Sequence, residues 1–200
     1  MLERILILGA HSVGKTTLTH RLLEELEQSP DDERKWVLVE EVARKVMQRD
    51  RWTREDVPKA AFQQAILDAQ LEAESRSSVP YIADRCLLDP IAYTSLHTSS
   101  PTTYRQMLAI PSLQPLLASY RDAEKTLVIH LLPVEQFAHD DGVRSLTGSM
   151  EEWKEVSRAF ASVLAEAGLK CRTLGPEKVS LKERVKAVRE WMADMEAERQ

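Results

Sequence analysis

One segment, Gly9-Ala10-His11-Ser12-Val13-Gly14-Lys15-Thr16, constrains this chain more than any other. It fits the spacing G-x-x-x-x-G-K-[ST]. In that pattern the glycines let backbone N–H groups wrap a polyphosphate, the lysine neutralises charge near the terminal phosphoryl group, and the hydroxyl is placed to hold magnesium. The flanks are what such a loop requires. Residues 4–8 form a short apolar run suited to a buried parallel strand, and Leu18, Leu22, Leu23 and Leu26 recur at helical spacing after Lys15. The helix N-terminus therefore points at the loop, where its dipole favours an anion. Gly9, Ser12, Val13, Gly14, Lys15, Thr16 and Thr17 are the expected contacts to a nucleoside triphosphate, taken as ATP with Mg2+.

The strand and helix signals continue in alternation. Strands are expected at residues 36–40, 80–84, 126–132 and 169–174, besides the first. Helices are expected over residues 15–28 and 42–47, over a long stretch from an N-cap at Thr53 to Arg76, from Leu87 through Tyr93, through Trp153 to Val163, and from Ser180 to about Arg199. Trp153, Phe160 and Trp191 sit at helical spacing and are expected in the core. Alternation of this kind implies an α/β fold, a three-layer P-loop NTPase with a five-stranded parallel sheet covered on both faces. At 200 residues, a single domain spanning 1–200 is expected, with a lid at residues 135–150, where charges and two glycines replace the apolar pattern.

Composition excludes several classes. The net charge of −5, with both signs mixed, argues against a general nucleic-acid binder, so no DNA partner is expected. No apolar stretch approaches the roughly 20 residues that span a bilayer, and the chain runs from Met1 straight into its first strand, so a cytoplasmic protein is expected. Cys86 and Cys171 form no metal-ligand spacing. A chain without Asn has no N-K-x-D element to read guanine, which disfavours a signalling GTPase.

The later motifs narrow the class further. Glu40-Glu41-Val42-Ala43-Arg44, then Phe62-Gln63, then Asp84-Arg85-Cys86 resemble the E-P-V-A-R, F-Q and [ED]-R-S pattern of the deoxyribonucleoside kinases, with Glu41 where that family has Pro and Cys86 where it has Ser. The chain is closer in texture to the AAA-type P-loop family typified by the ribosylnicotinamide kinase domain of NadR proteins. It shares that family's G-x-x-x-x-G-K-T-T-L, E-x-A-R and D-R-x-x-x-D-x-x-A-Y segments, the last here being Asp84, Arg85, Asp89, Ala92 and Tyr93. This resemblance runs from residue 4 to about residue 190 and implies transfer of the γ-phosphate of ATP to a hydroxyl of a nucleoside-like small molecule.

Roles follow from position and from that likeness. Asp84, at a strand end, is expected to act with Thr16 on magnesium. Glu40, at the carboxyl end of the second strand, is the candidate general base and acceptor contact, with Glu41 as its competitor. Adjacent strand residues point to opposite faces, so only one of the two is expected to reach the acceptor. The resemblance implies that Arg85 bridges acceptor and phosphate and that Gln63, ahead of Gln64 or Gln70, reads polar edges of a base. Arg144 is the expected lid arginine that closes over the γ-phosphate, and Gly175-Pro176 the loop under adenine. The alternative is a nucleotide-binding switch working through a protein partner. A kinase leaves room for a small molecule beside the P-loop, whereas a switch closes that space and displays an apolar patch.

Overall fold

The computed structural model describes residues 1–29, 32, 34–77, 80–98, 101–135 and 150–198. Five strands, β1 (Arg4–Gly9), β2 (Val37–Val39), β3 (Tyr81–Asp84), β4 (Thr126–Leu131) and β5 (Arg172–Leu174), make one sheet in the order β2-β3-β1-β4-β5. All pairings are parallel, with Ile5 opposite both Ile82 and Leu127. The helices are α1 (Lys15–Glu27), α2 (Ala43–Asp50), α3 (Ala60–Ser75), α4 (Leu88–His97), α5 (Pro101–Leu108), α6 (Gln114–Arg121), α7 (Met150–Glu166) and α8 (Leu181–Ala197).

Strand order and handedness place the layers. Crossovers between parallel strands are right-handed. The step from β1 to β2 runs one way across the sheet and the later steps run back, so α1 covers one face and α3, α4 and α7 the other. Accordingly α1 packs on α8, while α4 lies against α3, α5 and α7. β1, with β3 and β4 on its flanks, is buried from Ile5 onward. Each such side chain removed from water contributes about 1.5–3 kcal/mol before entropy is counted. A satellite cluster of Val42, Ala43, Val46, Phe62 and Ile66 joins α2 to α3.

The expected long helix from Thr53 is two elements. Thr53 and Asp56 do form a capping box, but it closes a single 3-10 turn over Arg54–Asp56. Pro58 supplies no N–H to continue that turn, and Lys59 is extended, so α3 starts only at Ala60. The Ser- and Pro-rich stretch near residues 97–115 contains α5 and a 3-10 turn, Pro111–Leu113, leading into α6. Trp153 and Phe160 are core residues and Trp191 packs partly buried against the same core. No helix among the described residues is long and apolar enough to cross a membrane.

Candidate active site

The phosphate end is made of contiguous backbone. Gly9 has φ +137° and a Cβ there would lie 2.5 Å from the Leu131 carbonyl oxygen, because β4 runs directly behind the loop. Gly14, at φ +87°, forms the N-cap of α1 without a side-chain cap, leaving the first N–H groups of that helix for a ligand. Ser12 also takes a left-handed conformation, at φ +55°. The buried Lys15 ammonium donates to the Gly9 carbonyl at 2.9 Å and to the Ala10 carbonyl, so it is folded back into the loop. Arg184 of α8 buttresses the loop, its Nη1 donating to the Val13 carbonyl at 2.8 Å and its Nε to Lys178 O at 2.9 Å. Lys178 N–H in turn donates to the Gly175 carbonyl at 3.2 Å, so Arg184 links the P-loop to the Gly175-Pro176 turn.

Thr16 and Asp84 meet here, the Thr16 hydroxyl donating to Asp84 Oδ2 at 2.5 Å. Asp84 is 3% exposed, and its Oδ1 is buried with no hydrogen-bond partner among the described residues. One carboxylate beside one hydroxyl suits magnesium, which keeps several waters and takes its other ligands from phosphate oxygens. Thr17, next to Thr16, is exposed at the start of α1.

Side chains from distant segments build the other end. Arg85 Nε donates to Glu41 Oε1 at 2.8 Å and Nη1 to Asp89 Oδ1 at 2.9 Å. Asp89 Oδ2 accepts the Cys86 N–H at 2.9 Å, capping the entry to α4. Arg85 itself has φ +83°, a conformation that costs a residue with a Cβ about 1–2 kcal/mol. Burial works against its charge, but Asp89, with help from Asp84, holds the guanidinium above its usual range. Burial also pushes the Asp89 carboxyl up, opposed by Arg85 and by Lys15, which lies near enough to couple the two ends electrically. Lys15 joins burial in lowering His130 of β4 to about 4.

A small cavity, partly open to solvent, adjoins this cluster. Its apolar walls are Ala43, Met47, Val57, Phe62, Ile66 and Pro90, and Gln63, Arg85, Asp89 and Tyr93 supply its polar atoms. Gln63 is buried, one amide N–H held by the Val57 carbonyl at 2.7 Å.

The two candidate glutamates part company. Glu41 is half-buried against Arg85, with its side chain 12% exposed, whereas Glu40 is 57% exposed and accepts from Lys45 at 2.6 Å. Lys45 holds the Glu40 carboxyl below its ordinary range. The structure thus brings Glu41, Gln63, Arg85 and the P-loop together and leaves Glu40 on the surface. The cause is local: β2 ends at Val39, so Glu40 and Glu41 form the turn into α2 instead of continuing an alternating strand. Gln64 pairs with Asp68, and Gln70 is buried outside the cavity lining, behind Arg85. Arg144 and residues 136–149 of the expected lid lie outside the described residues. Asp89 carried no expected role, and helical spacing does not reveal its pairing with Arg85, which lies in the turn before α4 begins. Arg184 had no sequence signal, since it acts across 171 residues on a single carbonyl.

The AAA domain family matches residues 4–184. The chain belongs to this AAA domain family. Its fold is that of the P-loop kinases. Among solved structures, this AAA domain chain is similar to deoxyadenosine kinase from M. mycoides with bound dCTP, at a TM-score of 0.66 and 13% identity over 96% of this chain and 99% of that one. It is similar to the NadR protein in complex with NR at a TM-score of 0.67 and 22% identity, over 94% of this chain but 51% of that one. Thymidylate kinase from Ehrlichia chaffeensis gives a TM-score of 0.62 and 14% identity, over 95% and 97% of the two chains. At these identities the likeness is one of fold. No curated protein matches the sequence significantly.

Proposed function

We propose that this protein is a phosphotransferase that moves the γ-phosphoryl group of ATP to a hydroxyl of a nucleoside-like small molecule. The observation that carries this is one cavity whose apolar walls face a Glu41–Arg85–Asp89 cluster that Lys15 reaches electrostatically. Its lining, apolar on most sides with Gln63, Arg85, Asp89 and Tyr93 supplying polar atoms, suits a small ring compound with polar groups at one end. Glu41, held by Arg85 Nε and more loosely by Arg44 at 3.6 Å, can exchange the longer of these contacts for a sugar hydroxyl that donates to it. The names of the structural neighbours, which include deoxyadenosine and thymidylate kinases, support the same class.

Each residue then has a task. The loop N–H groups and Lys15 hold the β- and γ-phosphates, Lys15 leaving the Gly9 and Ala10 carbonyls to do so. Thr16 and Asp84 hold magnesium, whose contribution is to neutralise charge on the phosphate oxygens. Phe62 and Met47 pack the acceptor ring and Gln63 reads its edge. Glu41 takes the proton from the acceptor hydroxyl as the new O–P bond forms and the bond to the ADP oxygen breaks. Arg85 steadies the Glu41 carboxylate and the charge building on the phosphoryl oxygens. In this scheme Glu41, not Glu40, is the base. Gly175 and Pro176 border the adenine.

The test is ADP production from Mg-ATP with a panel of nucleosides that includes nicotinamide riboside. Turnover that depends on one acceptor and disappears in Lys15→Ala is the expected result. Tight ATP binding with no acceptor response across the panel would overturn the proposal in favour of a nucleotide-binding switch.

A further inference from the structure

A buried polar cluster lies outside the cavity lining, and phosphoryl transfer as described makes no use of it. Glu74 of α3, 2% exposed, accepts from the Tyr120 hydroxyl of α6 at 2.5 Å, from the Tyr81 hydroxyl of β3 at 2.9 Å and from Gln70 Nε2 at 2.9 Å. Gln70, Tyr81 and Tyr120 are themselves at most 2% exposed. Two of these three partners also touch the turn between β3 and α4. Gln70 Nε2 reaches the Arg85 carbonyl at 3.2 Å, and the Tyr120 hydroxyl meets the Leu87 N–H at a long 3.5 Å. Tyr81 makes no such contact among the described residues.

Apolar residues of the same volume would fill this space at lower cost than a carboxyl group. A satisfied buried network does something they cannot, since its directional bonds fix the peptide groups they end on. Those peptide groups belong to the turn that holds Arg85 at φ +83° and aims its side chain at Glu41 and Asp89. We propose that Gln70, Glu74 and Tyr120 are positioning residues, a brace that holds the β3–α4 turn so that Arg85 meets the acceptor in a fixed geometry. This rests on the cavity being the acceptor site.

The brace has a built-in pH response. An ionised Glu74 accepts from all three donors, whereas a protonated one donates a hydrogen itself, so that one tyrosine hydroxyl must turn from donor to acceptor or one partner must leave. Burial raises Glu74 to about 7, against the three hydrogen bonds and with added repulsion from Asp89. The other titratable groups facing the cluster are Tyr81, Tyr120 and Cys86, all pushed up by burial and so protonated near neutrality, and Asp89 of α4. Arg4 lies over the Tyr81 ring at 5.8 Å. Glu74 is the member of the cluster whose protonation alters the bonds to Gln70 and Tyr120, and through them acceptor binding weakens as pH falls below its midpoint.

The experiment compares Gln70→Leu, Tyr120→Phe and Tyr81→Phe in three measurements: KM for the acceptor found in the nucleoside panel, KM for ATP, and hydrogen exchange of amides 84–88. Gln70→Leu and Tyr120→Phe should raise the acceptor KM about tenfold, the ratio for one lost hydrogen bond to a charged group, with the ATP KM unchanged and the turn amides exchanging faster. Tyr81→Phe should lower the melting temperature yet leave the acceptor KM and turn exchange at wild-type values. From about pH 8 to about pH 6 the wild-type acceptor KM should rise, and Glu74→Gln should flatten that profile. If the acceptor KM follows melting temperature across all three variants, or turn exchange is unchanged in folded Gln70→Leu or Tyr120→Phe, the brace is overturned. Should the wild type respond to no acceptor, the proposed function fails, while exchange at the turn still decides the brace.

Discussion

The two ends of the site are built from different materials. The phosphate end is one continuous stretch, residues 9–16, whose working groups are backbone N–H and one lysine, with Thr16 and Asp84 beside them. The proposed acceptor end is assembled from Glu41, Gln63, Arg85 and Asp89, on four different turns and helices, and its polar groups are side chains. A backbone cradle depends on glycine conformations and tolerates changes elsewhere in the chain. A side-chain cluster depends on every element that carries a member, and on what lies behind them. The first kind of site recognises a ligand common to many proteins, and the second can be altered one residue at a time to change acceptors.

The difference extends to charge. His130, coupled to Lys15 at the phosphate end, is buried neutral and lowered to about 4, whereas Glu74, behind the acceptor end, is raised to about 7. The two act on stability with opposite signs. A histidine with a depressed folded-state value costs stability as pH falls from its unfolded value toward 4. A carboxyl with an elevated one costs stability as pH rises from its unfolded value toward 7.

The sharpest way to break the phosphate end is Lys15→Ala, expected to lower acceptor-dependent turnover about 10³-fold, the upper range for loss of one charge-stabilising group. The stopped-flow or coupled-assay rate checks it, with unfolding monitored in parallel. Second come the opposed titrations, each worth about 3 kcal/mol across its window. In denaturant melts between about pH 4 and pH 7.5, Glu74→Gln should expose a stability that climbs with pH, and His130→Gln one that falls, while the wild type stays comparatively flat. Parallel profiles in the two variants would refute the assignment. Third, Glu41→Gln should cost turnover about 10²-fold with the ATP KM unchanged, the scale of a lost general base. Glu40→Gln is the smallest change, losing only an exposed pair with Lys45 worth less than about 1 kcal/mol and leaving turnover within about twofold. Equal losses in the two glutamate variants would remove the distinction between them.

How much was legible follows the same division. The P-loop, the five strands and most helices could be read because their signals are local: a glycine spacing, apolar runs, leucines at helical intervals. The early break before α3 was signalled by Pro58, but the capping box at Thr53 and Asp56 marks a 3-10 turn equally well. Gln63 and Arg85 could be nominated from short motifs. The choice between Glu40 and Glu41 could not, because it turns on the residue at which β2 stops, and a strand of three residues carries too little pattern to set its end.

Sequence alone determined that this chain forms a parallel α/β sheet with a phosphate cradle at the end of its first strand, since backbone conformation and apolar periodicity are properties of neighbouring residues. Tertiary structure decided the rest: which glutamate faces Arg85, that Asp89 and Tyr93 line the cavity, that Arg184 supports the loop, and that Glu74, Tyr81 and Tyr120 meet in the core. Those contacts join residues as far as 171 positions apart. Their existence and their charge states depend on burial and on partners that only the packed fold brings within hydrogen-bond distance.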